Sequence, residues 1–189
     1  METERLIESL KHDLQPVRPL RSPWLRAGGW LLLIAAIAAW PILQFADLAT
    51  FRLRNGDPRV AIETTATLLT GLAAVVAAFH LSIPGRAARW GWLPLAPLAV
   101  WLASSGVGCL RNGFGSIGRS RWFGYDIDCF MFVVMASVPL SVLLLAFLRR
   151  ARPLAPRSVA MAGGLGVAGI AAFLLQFFHP FDVTVLDLA

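Results

Sequence analysis

Five stretches of this chain contain no aspartate, glutamate, lysine or arginine. They cover residues 27–46, 64–85, 90–110, 129–148 and 158–181, and are 20, 22, 21, 20 and 24 residues long. A helix rises 1.5 Å per residue, so about 20 residues cross the hydrocarbon core of a bilayer, and a charge left at its centre costs roughly 3 kcal/mol. All five stretches are therefore long enough to span. They are continuous and rich in Leu and Ala, without the period-two alternation of an outer-membrane strand. A cleavable signal peptide does not account for the first, because a long leader with four acids precedes it and four further spans follow. The sequence thus predicts an all-α fold, a polytopic helical transmembrane bundle with five spans. Composition agrees: 57% of the residues are hydrophobic and 15% charged, against about 25% charged in soluble domains.

Basic residues mark the cytoplasmic side of short loops. With the N-terminus inside, the inner segments hold eleven basic residues and four acids, and the outer ones six basic residues and seven acids. The expected organisation is a cytoplasmic leader, 1–26, followed by a transmembrane helical domain, 27–189, with outer loops at 47–63 and 111–128 and inner loops at 86–89 and 149–157. The pI near 10.9 is explained by this distribution and by anionic lipid head groups as partners. No basic helix suited to a groove of nucleic acid is present, so no direct nucleic-acid partner is expected. The tryptophans, mostly near span ends, read as an interfacial belt.

Within the leader, Leu6, Ile7, Leu10 and Leu14 recur at helical spacing, Thr3 can cap, and Glu2, Glu4 and Glu8 precede Lys11 in the order that suits the helix dipole. This predicts an amphipathic helix over residues 3–14. Three turns are marginal alone in water, so its apolar face needs a cover. Pro16 ends it, and "PVRPLRSP" favours an extended strut into the first span. Among the spans, association rests on small residues. Ala162 and Gly166, with Gly164 and Ala168 one ridge over, supply such a face in the fifth span, and Gly71, Ala74 and Ala78 in the second. Pro41, Pro94, Pro97 and Pro139 either kink their spans or sit near their ends.

Chemistry is sparse. "GFGSIG" at 113–118 matches the dinucleotide fingerprint, but it lies in a loop between spans rather than in a βαβ unit and reads as a flexible glycine loop. No charged residue falls within a span, as a carrier or proton pump would require. His80 and His179, near span ends, read as hydrogen-bonded interfacial histidines. No nucleophile, base and orienting group come together, so no catalytic activity and no cofactor are expected. Cys109 and Cys129 bracket one outer loop. A disulfide there would close about 20 residues, worth roughly 3 kcal/mol. A permanent staple, two unrelated buried thiols and a redox switch all remain open. Cys109, Cys129 and His179, with Asp126, Asp128 or Asp182, are weak candidates for a metal site.

The order of several segments carries a resemblance: a short N-terminal helix running into "DLQPVRPLRSPWLRAGGW", the cysteine opening "DCFMFVVMASVPL", the inner loop "LRRARPLAPR", and the final "LLQFFHPFDVTVLDLA". Together they resemble the NrsF family, bacterial multi-span anti-sigma factors also called negative regulators of sigma F. The resemblance implies that residues 3–24 bind an extracytoplasmic-function (ECF) sigma factor at the inner membrane, releasing it on a periplasmic oxidant or metal stress. Leu6, Ile7, Leu10 and Leu14 would then fill a groove of the sigma factor, with Arg18 and Arg21 adding charge contacts. Cys129 matches the family's sensing cysteine. Many members carry the second cysteine beside a histidine where this chain reads His179, Pro180, which leaves Cys109 as the partner here. The family has six spans; this sequence stops at Ala189, where the sixth would begin, so that span is expected either to be cut off or to be lost. The competing expectation is a non-catalytic structural or small-solute membrane protein whose leader lies on anionic lipid.

Overall fold

A computed structural model of the chain describes residues 2–12, 20–113, 122–151 and 153–178. Every regular element among them is helical: α1 (Glu2–His12), α2 (Pro23–Phe45), α3 (Leu48–Arg54), α4 (Pro58–Leu81), α5 (Leu95–Gly113), α6 (Trp122–Leu148) and α7 (Pro156–Phe178), with short 3-10 turns at Ala88–Trp92 and Arg149–Ala151. The expected all-α bundle is present.

Four helical stretches among the described residues are long and apolar enough to cross a membrane: Pro23–Phe45, Pro58–Leu81, Val134–Ala151 and Pro156–Phe178. The sequence predicts five. The fifth predicted stretch, 90–110, carries α5, of which the side chains from residue 105 on lie outside the description; Trp90 belongs to a 3-10 turn and the helix starts at Leu95. Pro94 has no N–H to give to a helix, and it sits just outside α5, where its carbonyl accepts from the Leu98 N–H at 3.0 Å.

The starts of α2 and α4 lie ahead of the charge-free stretches because polar residues cap the helices. Ser22 precedes α2 with φ −53° and ψ 144°, and its hydroxyl accepts from the Leu25 N–H, so the helix begins at Pro23. Asp47 caps α3 through the Ala49 and Thr50 N–H groups at 3.1 and 3.0 Å. Asp57 caps α4 through the Arg59 N–H at 2.8 Å, ahead of Pro58 at the first position. The expected outer loop at 47–63 is therefore mostly helix. With 24 residues, α4 is about 36 Å long against a hydrocarbon core of about 30 Å. Arg59 and Glu63 thus ride in its first two turns, although the charge pattern excludes them from the span. At the other end, Gly85 takes φ +79° to turn the chain out of α4, a conformation other residues rarely adopt.

The bundle is built around α4, which packs most extensively on α7 and also on α5 and α2. The α4–α7 contact is made through small residues. A Cβ on Gly166 would lie 2.7 Å from a Val75 methyl and 2.9 Å from the Val75 nitrogen, and one on Gly169 would lie 2.9 Å from the Gly71 backbone. Gly71, Ala74 and Ala78 therefore face Ala162 and Gly166 as expected. The alternative ridge does not pack: Gly164 and Ala168 are exposed, and a Cβ on Gly164 would meet nothing within 4 Å. Around this seam Trp30, Ile34, Val75, Phe79, Leu144, Leu148, Val159 and Ile170 form the apolar core. Pro41 and Pro139 lie inside α2 and α6.

Candidate functional site

The leader helix forms: α1 runs from Glu2 to His12, so Thr3 falls in its first turn rather than at its cap. Ile7 is half-exposed, Arg21 is exposed, and Glu8 pairs with Lys11 at 3.9 Å, a surface pair worth little. Leu6 and Leu10 lie in α1 with side chains outside the description, and Leu14 and Arg18 fall outside the described residues altogether. The backbone places Cys109 in α5 and Cys129 in α6; their side chains, and His179, lie outside the description, and with them the proposed pairing. Among the described residues no three His, Cys, Asp or Glu side chains cluster as metal ligands.

A polar and aromatic cluster does form where the start of α2, the ends of α4 and α6 and the 3-10 turn Ala88–Trp92 meet. His80 is fully buried. Its ring stacks on Trp90 with centroids 3.8 Å apart and planes 19° from parallel, and Trp24 meets it edge-on at 4.9 Å. Trp24 also touches Trp90 at 5.9 Å. Neither nitrogen of His80 has a hydrogen-bond partner among the described residues, where a hydrogen-bonded interfacial histidine is expected; its ring contacts there are the face of Trp90 and the edge of Trp24. Beside it Arg26 turns inward. Its guanidinium lies 5.3 Å from the centre of the Phe79 ring, and one Nη donates to the Phe147 carbonyl in the last turn of α6. Helix-terminal carbonyls lack partners within their own helix, so an arginine from another helix serves as a cap. A desolvated cation over an aromatic face adds about 2 kcal/mol.

At the opposite end, α3 folds onto α7. Phe51 stacks on Phe177 at 4.4 Å, and Arg54 donates to Gln176 Oε1 at 3.0 Å. Burial pulls the Arg54 guanidinium below its ordinary value, and Glu63 pulls it back. Arg59 donates to the Ser104 carbonyl at 3.3 Å, tying α4 to α5.

Sequence reasoning missed Arg26, Trp30 and the Trp24–His80–Trp90 cluster. It treats Arg26 as a topology charge and the tryptophans as belt residues, yet Trp30 is fully buried. The one signal available was proximity: only nine residues separate His80 from Trp90, and the start of the first span must lie at the same end of the bundle.

Compared with known proteins, residues 10–186 match the NrsF family model, described as negative regulator of sigma F. No curated protein and no solved structure matches the chain.

Proposed function

The chain belongs to the NrsF family, the negative regulators of sigma F, and on that premise we propose that it is a membrane-embedded anti-sigma factor of the inner membrane whose leader, 1–26, sequesters an ECF sigma factor. The remainder, 27–189, anchors the leader and carries the sensor. The observation that carries this reading beyond the family is α1: an amphipathic helix with Ile7 exposed and no extensive packing on any other helix among the described residues. Such a helix has an apolar face to offer a partner groove. Leu6, Ile7, Leu10 and Leu14 form that face, and Arg18 and Arg21 add charge contacts. Binding hides the surface through which the sigma factor engages polymerase.

Release is triggered on the periplasmic side at Cys109 and Cys129, by oxidation or metal capture. The excess of basic residues in the inner segments supports the orientation this requires. The test uses the full chain. Ile7→Asp with Leu10→Asp replaces two apolar anchors, each worth about 1.5–3 kcal/mol when buried, so a reporter of the cognate sigma factor should rise at least tenfold while membrane levels of the protein stay unchanged. Repression that survives both substitutions would remove the leader from the interface.

A further inference from the structure

We propose that the groove between α6 and α7 at their arginine-bearing ends is a binding site for an anionic phospholipid, one acyl chain in the groove and the phosphate on Arg149. The groove has a volume of about 470 Å³. Leu144, Leu145 and Leu148 line it from α6, and Val159, Gly164 and Val167 from α7, with Arg149 at its mouth. From Pro156 to Val167 it follows α7 for about 16 Å, the depth of one leaflet of a hydrocarbon core about 30 Å thick.

Its shape comes from a glycine pair used in two ways. A Cβ on Gly163 would meet a Leu144 methyl at 3.1 Å, so that glycine lets the two helices close. A Cβ on Gly164 would meet nothing within 4 Å and would project into the open groove. The apolar wall is thus left concave where a branched residue would fill it.

Charge selects the occupant. Residues 149–157 hold Arg149, Arg150, Arg152 and Arg157 and no acid. Arg149, Arg150 and Arg157 are exposed. An apolar slot with Arg149 at its mouth, no carboxylate among its lining residues, and Arg150 and Arg157 exposed in the adjoining segment fits a lipid with a negative head group. A neutral lipid would leave that charge uncompensated, and an arginine near a phosphate-bearing surface contributes about 1 kcal/mol. The site does not depend on the sigma factor or on the cysteines.

The test is native mass spectrometry of the purified full chain after exchange into mixed micelles carrying equal amounts of dioleoylphosphatidylglycerol and dioleoylphosphatidylcholine. The expected result is retention of phosphatidylglycerol in preference to phosphatidylcholine, falling about fivefold in Arg149→Ala, and loss of bound lipid of both kinds in Gly164→Leu. Circular dichroism checks that Gly164→Leu keeps its helix content; if it does not, Gly164→Ala and Arg149→Ala carry the test. Equal retention of the two lipids by the wild-type chain, or an unchanged preference in Arg149→Ala, would overturn the proposal. So would a Gly164→Leu chain that keeps its lipid but loses self-association, which would make the groove a contact between copies.

Discussion

Asp47 shows how one exposed carboxylate can organise an element. Its side chain accepts from the Thr50 hydroxyl at 2.6 Å and from the Thr50 and Ala49 N–H groups. These bonds, the Thr50 hydroxyl first, hold its carboxyl below the usual carboxylate range, slightly opposed by desolvation. A lowered folded-state pKa favours the fold above the unfolded value, near pH 4, and this contribution disappears as the pH falls through the folded value. Protection of the Ala49 and Thr50 amides, taken as the ratio of intrinsic to observed hydrogen-exchange rate, should therefore fall on acidification below about pH 4, and Asp47→Asn should remove most of that pH dependence. Capping residues of this kind act on their immediate neighbours, but the charge pattern alone assigns 47–63 to a loop and passes over Asp47 and Asp57 as caps. Arg26 and His80 are not local in this sense. What decides their environment is Phe147 and Phe79 for the arginine, and Trp24 and Trp90 for the histidine, all residues on other elements that meet them only after the bundle has closed.

Between elements, the same distinction separates the two small-residue ridges of α7. Ala162 and Gly166 repeat at four-residue spacing, and so do Gly164 and Ala168; the spacing alone gives both equal standing. The structure selects the first because Val75 presses against Gly166 and the Gly71 backbone against Gly169, and the second is left facing away from α4. This yields a paired prediction. Gly166→Ala places a carbon 2.9 Å from the Val75 backbone nitrogen, and overpacking of this type costs about 1–3 kcal/mol. Gly164→Ala meets no atom and gains helix propensity, up to about 1 kcal/mol. Thermal unfolding in detergent, followed by circular dichroism, should show a lowered midpoint for the first substitution and an unchanged or raised one for the second. The limits of α4 were hidden for a related reason. Charge-free length marks where a span can lie in lipid, whereas Asp57 and Pro58 mark where the helix starts, and Arg59 and Glu63 fall between the two.

For the whole molecule, the all-helical membrane architecture was legible from the charge gaps, since a bilayer imposes the same length on every span. The helix limits were less so: the stretch predicted at 90–110 carries α5 only from Leu95, after Pro94 and the 3-10 turn Ala88–Trp92. The sensing proposal belongs to this scale, because Cys129 lies near the start of α6 whereas Arg26, at the start of α2, meets its other end. Cys129→Ser should abolish induction of the sigma-dependent reporter by a periplasmic oxidant or metal while leaving basal repression intact; an induction curve that does not change would return the cysteine to a packing role. The Arg26–Phe147 bond bears on how such a signal could travel. Cys129 and Phe147 belong to the same helix, 18 residues or about 27 Å apart, interrupted by Pro139 alone. Arg26 follows Trp24 by two residues, where the leader enters the bundle. On the sensing proposal, a push on one end of α6 would either be absorbed as bending at Pro139 or be delivered to Arg26 at the start of α2, the helix then acting as a connecting rod with a single joint.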